Sequence, residues 1–477
     1  MTIRPGLIPN KNPIKSVKEM KAYSKPTSRF RWVVAALFFL AYMVAGADRA
    51  NIGVVVPFIK QEYHLSNTDI GALASLFYLT YALVQIPSGY LFSKYGIRKL
   101  LTGSLVVTSL ATLLIGFTTS VLQLKLARAL LGAAEGPINI GIVSIINRWF
   151  PPSEKGLATG IFMSSIKFAP AFVPPLCAYI VHLYGWREVF YLFAVPGFFV
   201  AILWWWLVKD DPADSRHCSA SELQYIQGTQ GAGQQVIRPM VRIPQWVDTL
   251  IRSRDTKPLA DSKSILLSWN VWACAIGYFL MVGITYSIMT WIPTYLITVK
   301  QYSIMKMGMV AAAPWVGAII GNLLGGWLSD RVFDKRRKPA MLISSLSTVI
   351  MMYVLLNSPS DPALLAAVFL LAGILLNIGY STFLVYPMGL ATKEKVPFAA
   401  SVVNTGGSLG GAFAPFVVGL LLDSFSWDYV FGFLGICSLI TFAVVLTMIE
   451  PRAEVANVSQ FKTDVEPSLP PIPHGKF

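Results

Sequence analysis

Long apolar stretches recur along the chain, and short polar segments separate them. An apolar stretch of about 20 residues is long enough to cross the hydrocarbon core of a bilayer as an α-helix. We place such helices at residues 32–57, 69–92, 100–119, 121–147, 156–183, 188–208, 266–296, 304–328, 340–357, 362–391, 398–425 and 429–449. The pattern therefore predicts an all-α membrane protein with twelve transmembrane helices.

Polar segments divide these helices into two sets of six. Residues 209–264 are rich in Gly, Gln, Asp and Arg, and are predicted to form a cytoplasmic linker with a short helix near Glu222 to Ile226. The linker separates an N-terminal half, residues 32–208, from a C-terminal half, residues 265–450. A basic tail at 1–31 and a Pro-rich tail at 451–477 complete the predicted organisation.

The two halves repeat short motifs at one spacing. Gly89-Tyr-Leu-Phe-Ser-Lys94 corresponds to Gly326-Trp-Leu-Ser-Asp-Arg331, and Tyr184-Gly-Trp-Arg-Glu-Val-Phe190 corresponds to Phe425-Ser-Trp-Asp-Tyr-Val-Phe431. Both pairs are about 240 residues apart, which fits two parallel six-helix repeats packed around a central site.

Basic residues cluster in the loops on one side of the predicted bundle. They are Lys94, Arg98 and Lys99 between helices 2 and 3, Lys335 to Lys338 between helices 8 and 9, and Lys393 and Lys395 between helices 10 and 11. Because loops rich in Lys and Arg stay in the cytoplasm, both termini are predicted to be cytoplasmic.

The composition agrees with a membrane protein, since 55% of the residues are hydrophobic and only 13% are charged. The net charge of +15 is explained by basic cytoplasmic segments, and no aromatic-interleaved basic patch indicates nucleic acid. The four cysteines stand far apart without a CxxC motif, so we expect no metal site and no cofactor. Neither a nucleotide-binding motif nor a nucleophile–base set is present, which argues against a primary pump and an enzyme.

Five ionisable residues lie deep inside predicted helices. Arg128 and Glu135 are seven residues apart, so they lie on nearly one helix face, roughly 10 Å apart along the axis. Asp48 and Arg49 lie in helix 1, and Lys167 lies about 18 Å into helix 5. Ionisable groups at such depth mark ion or substrate pathways by default.

The two carboxylates and three cations indicate different roles. Asp48 and Glu135 reach the middle of the bilayer, where a carboxyl group near an Arg can exchange a proton; the alternative is a permanent ion pair that holds helices together. Arg49, Arg128 and Lys167 outnumber the carboxylates, which suits an anionic substrate. For Arg49 the alternative role is pairing with Asp48, and for Lys167 it is an internal salt bridge.

The C-terminal half carries no deep charge before Asp423 in helices 7, 8, 10 and 11. It offers neutral polar and aromatic groups instead, namely Tyr286, Trp291, Asn377, Tyr380, Ser381 and Asn404. We expect this half to supply shape and hydrogen bonds while the N-terminal half holds charge and proton.

Several motifs resemble a known family. The run Gly89-x-x-x-Ser93-Lys94-x-Gly96-x-Arg98-Lys99 resembles the loop 2–3 signature of the major facilitator superfamily. Four further motifs resemble the anion:cation symporter family of this superfamily, which includes bacterial sugar-acid transporters and animal sialin. They are Asp48-Arg49-Ala-Asn, Arg128-x-x-x-Gly132-x-x-Glu135-Gly-Pro, Arg148-Trp-Phe-Pro-Pro and Gly185-Trp-Arg187. Two positions depart from the pattern. Ser93 stands where the superfamily usually has Asp, and Ile166-Lys167 stands where sugar-acid members often have Gln-Tyr.

The resemblance implies the major facilitator fold and assigns roles to individual residues. Asp48 and Glu135 match the family's proton-binding positions. Arg128, Tyr81 and Asn404 match positions linked to substrate binding or coupling, and we add Arg49 and Lys167 to this set. A cytoplasmic gate or latch that closes the outward-open state is expected from Gly89, Lys94, Gly96, Arg98, Lys99, Asp330 and Arg331.

Together these features predict a proton-coupled symporter that imports an organic carboxylate anion, either a sugar acid or another small organic acid, by alternating access. We expect a monomeric multi-pass protein of the bacterial inner membrane whose partners are the anion, protons and membrane lipid. One alternative is a non-transporting nutrient sensor on the same fold. The other is an organophosphate antiporter, which would need paired arginines facing each other from the two halves.

Overall fold

A computed structural model describes residues 28–228, 251–254, 256–334, 336–392 and 395–451. Most of the predicted tails, the middle of the predicted linker at 229–250, and the predicted loop residues Lys335 and Lys393 lie outside the described residues.

The N-terminal half consists of six long helices. They are α1 (Phe30–Tyr63), α2 (Asn67–Tyr95), α3 (Ile97–Gly116), α4 (Val121–Trp149), α5 (Pro152–Tyr184) and α6 (Trp186–Leu207). A 3₁₀ turn at Pro212–Asp214 and a short helix, α7 (Ala220–Gly228), follow, the latter where the sequence predicts one.

The C-terminal half begins with a two-residue strand and a short helix. Its elements are β1 (Ser253–Arg254), α8 (Ser262–Leu267), α9 (Trp269–Thr298), α10 (Ile304–Trp327), α11 (Lys338–Leu356), α12 (Pro362–Ile378), α13 (Tyr380–Val385), α14 (Val396–Ser424), α15 (Trp427–Thr447) and β2 (Glu450–Pro451). The strands β1 and β2 pair in parallel.

The predicted fold class is confirmed. Within the described chain, 11 helical segments are long and apolar enough to cross a membrane. The helix α2, with 29 residues, packs between α4 and α14 and completes the bundle of twelve. The halves repeat their packing, since the pairs α1–α5, α2–α4 and α3–α6 correspond to α9–α14, α10–α12 and α11–α15.

The tenth span is broken, whereas the sequence predicts one helix over 362–391. The α-helical pattern stops at Gly379, and the chain continues as α13 and a 3₁₀ turn at Tyr386–Gly389. Gly379 lies against the carbonyl oxygen of Ala340 and the side chain of Ser344, a contact that leaves no room for a Cβ atom. Pro387 then removes a backbone donor, which disfavours a return to regular α-helix.

We call the end of the bundle where α1 begins the linker face, and the end where α1 ends the opposite face. Four of the six long helices that start at the opposite face have an N-terminus capped by a side chain. The side chains of Ser66, Ser120, Ser303 and Asp361 each accept a backbone N–H in the first turn of α2, α4, α10 and α12. Such caps stabilise short connections because they satisfy donors that the helix leaves open.

At the linker face, α7 is fastened to the N-terminal half by a buried carboxylate. Glu222 is fully buried and accepts hydrogen bonds from the hydroxyl of Ser28 and from the backbone N–H groups of Phe30 (3.0 Å) and Arg31 (3.1 Å). The guanidinium of Arg31 bridges Glu222 (2.9 Å) and Glu154 of α5 (2.7 Å). Burial raises the pKa of Glu222, but the hydrogen bonds from Ser28 and Arg31 outweigh it, so its pKa is lower than the usual 4.5.

We expect Glu222→Gln to destabilise the protein by about 3 kcal/mol, because it breaks a buried charged network from one side. Since the folded pKa is depressed, the contribution of Glu222 is fully present above pH 4.5 and is lost as the pH falls through the folded value. Melting temperatures in detergent at neutral and acidic pH measure both effects. Asp214→Asn, an exposed change in the same segment, is the matched control. Equal melting temperatures for the two variants would contradict the prediction.

The C-terminal end of the linker is fastened to the other half in a similar way. The ammonium of Lys338 is buried and donates to the backbone carbonyls of Ile251 (3.0 Å), Leu446 (3.0 Å) and Met448 (2.6 Å). Glu450 accepts the backbone N–H groups at the start of α11. Each described end of the linker is therefore attached to its own half.

Contacts between the halves concentrate towards the opposite face. There α2 packs on α14, α5 packs on α10, and α1 packs on α9. Glycines allow the backbones to meet: Gly71 lies against Pro415, Gly308 against Pro174, Gly419 against Asn67, and Gly53 against Met289.

One face of α5 shows where these contacts stop. Near the opposite face, Ala178 contacts Gly308, and about two turns deeper Ala171 packs with residues of α9 and α10. Towards the linker face the same side of α5 presents Gly160 and Gly156, which have open space where a side chain would extend. The interface between the halves is thus closed at the opposite face and open at the linker face.

Candidate functional site

The centre of the bundle holds a buried ion pair between α1 and α4. Nε of Arg49 lies 2.8 Å from Oε2 of Glu135, and both side chains are buried. The alternative that Arg49 pairs with Asp48 is wrong, because successive residues of a helix point about 100° apart. The ion pair instead joins a candidate substrate-binding cation, Arg49, to a candidate proton-binding carboxylate, Glu135, which lies 86 residues further along the sequence.

Asp48 makes few contacts for a buried acid. Its Oδ1 accepts a hydrogen bond from Nδ2 of Asn51 at 3.2 Å, and its buried Oδ2 has no partner among the described residues. Glu135 likewise leaves its buried Oε1 without a described donor. Each carboxyl group therefore has one oxygen that can take up a proton without breaking an existing hydrogen bond.

Arg128 turns towards α1 and α2. Its NH1 group approaches the backbone carbonyl of Asp48 at 3.4 Å, and its guanidinium carbon lies 4.7 Å from the ring centroid of Phe77. Among the described residues it forms no ion pair, and its Nε has no hydrogen-bond partner. A guanidinium with unused donors is suited to a carboxylate ligand.

Aromatic rings enclose the guanidinium of Arg49. Its central carbon lies 5.2 Å from the ring centroid of Tyr42, 4.9 Å from that of Tyr81 and 6.0 Å from that of Phe77. The hydroxyl of Tyr42 also accepts a hydrogen bond from Arg49 at 3.2 Å. Cation–π contacts of this kind keep a desolvated cation in place when its ion partner changes.

Lys167 differs from the other cations. Its side chain is only 7% exposed, and Nζ lies 4.0 Å from the ring centroid of Tyr380 in the C-terminal half. Within the described part of the chain it has no carboxylate partner, so the alternative of an internal salt bridge finds no support. The ammonium therefore lies between the halves without a counter-ion.

The neutral groups of the C-terminal half divide into two sets. Nδ2 of Asn377 donates to the carbonyl of Gly373 (2.9 Å), and Nε1 of Trp291 donates to that of Pro415 (3.1 Å), so both act inside their own half. Tyr286 stacks on Tyr78 of α2 with ring centroids 4.1 Å apart, and Tyr380 contacts Lys167, so both reach the interface. Asn404 and Ser381 are half-buried on α14 and α13.

Two of the predicted latch residues, Arg98 and Asp330, form polar contacts that do not cross between the halves. Arg98 donates from its backbone to Asp210 (2.6 Å) and from Nε to the carbonyl of Trp205 (2.8 Å), while Asp330 pairs with Arg337 (2.7 Å). The remaining members also lie at the linker face. Lys94 lies over the ring of Tyr95, and Lys99 and Arg331 are exposed. Gly89 belongs to α2, and Gly96 precedes α3 with φ of +84°. A latch across the halves in another conformation stays a prediction.

Sequence reasoning missed several residues around the central charges and between the halves. Tyr42 and Phe77 enclose the two arginines, and Tyr78 stacks across the halves. For Tyr42, the sequence did contain a signal: it precedes Arg49 by seven residues, which places both on one face of α1. Asp423 was also missed: it accepts the backbone N–H groups of Asn67 and Thr68 across the opposite face, each at 2.8 Å.

Known proteins resemble this chain over nearly its whole length. The family model described as Major Facilitator Superfamily matches residues 38–391 and 305–473. The probable sulfoacetate transporter SauU of Cupriavidus necator is 26% identical over 457 residues, which cover 94% of this chain and 100% of that protein. The probable galactarate/D-glucarate transporter GarP of Escherichia coli strain K12 is 29% identical over 435 residues, which cover 88% of this chain and 94% of that protein.

A solved structure agrees on the fold. The crystal structure of a D-xylose-proton symporter superimposes with a TM-score of 0.68 at 15% sequence identity, covering 88% of this chain and 98% of that chain. At this identity the likeness concerns the arrangement of helices alone.

Proposed function

Because the chain belongs to the Major Facilitator Superfamily of membrane transporters, we propose that it is a proton-coupled symporter that imports a small organic anion by alternating access. The bacterial inner membrane, with the linker face towards the cytoplasm, is the proposed location, since the basic loops lie on that face.

The distribution of charge between the halves carries this proposal. In the described spans, every mid-depth charge belongs to the N-terminal half, as three cations and two carboxylates. Among the described residues Lys167 has no carboxylate partner, and the described C-terminal spans contain no mid-depth Arg of the kind that an organophosphate antiporter would need. A site with surplus positive charge in a low-dielectric surrounding favours an anion.

Proton coupling is proposed to use Glu135 and Asp48. When Glu135 takes a proton, its ion pair with Arg49 weakens, and the guanidinium becomes available to a substrate carboxylate. The proton and the anion would then enter together, because each favours the binding of the other. Arg49, Arg128, Lys167, Tyr81 and Asn404 are the proposed substrate contacts.

The names of the relatives support the anion class. SauU is named for sulfoacetate and GarP for galactarate and D-glucarate, all of which are small organic anions. The open linker face gives such a molecule a path from the central residues to the proposed cytoplasm.

Uptake into proteoliposomes tests the proposed function. We expect sulfoacetate, galactarate or D-glucarate to accumulate above the external concentration when the outside is made acidic, and a protonophore to abolish this accumulation. Binding of these acids without accumulation would indicate the sensor alternative. Accumulation that the protonophore does not change would contradict proton coupling.

Asp423 provides a test of alternating access. Its carboxylate belongs to α14 and caps the first turn of α2 in the other half. We expect Asp423→Ala to shift the protein towards opening at the opposite face by about 1–2 kcal/mol, because a charged cap is lost. Distances between spin labels at Gln61 and Ser360, measured by electron paramagnetic resonance, report this opening.

The matched control for Asp423→Ala is Asp428→Ala, because Asp428 lies on the same face and contacts Ser426 of its own half. We expect this control to leave the distance distribution unchanged. Identical distance distributions for the two variants would show that Asp423 does not hold the opposite face closed.

A further inference from the structure

Lys167 occupies the position where the closed part of the interface meets the open part. On the side of α5 that faces the C-terminal half, Ala171 is packed, whereas Ser164 and Gly160 are exposed towards the linker face. Tyr380 covers the ammonium from the other half. An anion bound at Lys167 would therefore contact both halves at the end of the open space.

Lys167 and Arg49 lie at one depth. Gly46 of α1 packs against Ala169 and the carbonyl of Ser165, so the backbone of Lys167 lies level with Gly46. Arg49 starts about one turn further along α1, but its guanidinium turns back to the ring of Tyr42. The two cationic groups, one on α5 and one on α1, therefore lie at the same depth in the bundle.

The charges balance for only one class of ligand. When one of the two carboxyl groups, Glu135 or Asp48, is protonated, the other contributes one negative charge, and Arg49, Arg128 and Lys167 contribute three positive charges. A ligand with two negative charges brings the sum to zero, whereas a monoanion leaves one positive charge. Since an uncompensated charge in a low-dielectric site is costly, a closed site favours the dianion.

We propose that Lys167 and Tyr380 form a subsite for a second anionic group, so that the substrate is a short acid with an anionic group at each end. The second group is a carboxylate or a sulfonate, and the first binds at Arg49 and Arg128. This inference rests on the proposed function, since it names the substrate class of the same site.

Equilibrium binding to the purified protein without a proton gradient tests the subsite separately from coupling. The matched probes are D-glucarate and D-gluconate, which differ by one carboxylate, and sulfoacetate and acetate, which differ by one sulfonate. We expect the wild type to bind each dianion at least tenfold more tightly than its monoanion. Lys167→Met should weaken dianion binding about thirtyfold, equivalent to about 2 kcal/mol, and leave monoanion binding within about threefold.

Two further variants make the result specific. Lys167→Arg should restore most of the preference for dianions, because it restores the charge. Lys155→Met, an equivalent change on α5 at a residue that contacts Asn147, should behave as the wild type. If Lys167→Met does not fold, Lys167→Gln carries the same comparison.

The outcomes separate the two proposals. An unchanged preference for dianions in a folded Lys167→Met or Lys167→Gln protein overturns the subsite. Equal binding of dianions and monoanions by the wild type also overturns it, while proton-driven accumulation of either class still supports the proposed function. A wild type that neither binds nor accumulates any of these acids overturns both.

Discussion

We expect Glu135→Gln to abolish accumulation of the substrate anion against its gradient, while exchange of the anion across the membrane continues. Glutamine resembles the protonated acid in shape and cannot release a proton, so the variant keeps one of the two states of the cycle. The accumulation ratio in proteoliposomes should fall to about one under an imposed pH gradient. Counterflow with preloaded substrate measures the remaining exchange.

The ion pair with Arg49 complicates this variant, and a double variant resolves the complication. Glu135→Gln leaves the buried guanidinium of Arg49 without its partner at 2.8 Å, which can lower stability by about 3–5 kcal/mol. The double variant Glu135→Gln, Arg49→Gln removes both charges and should recover the melting temperature without recovering accumulation. Wild-type accumulation in either variant would exclude Glu135 from proton coupling.

Asp48→Asn should have a comparably large effect on coupling and a small effect on folding. Asp48 has no ion pair among the described residues and accepts a hydrogen bond from the neutral side chain of Asn51, so an isosteric amide breaks no buried ion pair. We expect initial uptake under a pH gradient to fall at least tenfold. The melting temperature should change by no more than it does in Asp428→Asn, an equivalent change at an exposed site.

A second comparison assigns the effect of Asp48→Asn to the proton. In the variant, the uptake rate should depend less steeply on external pH, because one of the two carboxyl groups proposed to take up a proton is gone. Uptake that keeps both its rate and its pH dependence would contradict a coupling role for Asp48. A strongly lowered melting temperature would show instead that Asp48 stabilises the fold.

The helices could be predicted from the sequence because membrane spans require long apolar segments, and this requirement is local. The repeat could be predicted for the same reason, since the matching motifs at Gly89 and Gly326 are visible in the sequence. The break at Gly379 could not, because it depends on the contact of Gly379 with Ala340 of a different helix.

The partners of the deep charges could not be predicted either. The depth of Arg49 and Glu135 follows from their position along each helix, but their pairing depends on how α1 and α4 rotate against each other. Whether Lys167 has a carboxylate partner likewise depends on how α5 packs against its own half and against the C-terminal half. In helices that are apolar on most sides, periodicity gives little information on rotation.

The glycine contacts at the opposite face have a consequence for leakage between transport cycles. A seal made of side chains can open briefly when one of them changes rotamer, which takes picoseconds to nanoseconds. At Gly71 and Gly308 the helix backbones themselves are in contact across the halves, so these contacts cannot open through a rotamer change and are lost only when whole helices separate, over microseconds to milliseconds. Contacts of this kind therefore limit the brief openings through which ions could leak while no substrate is bound.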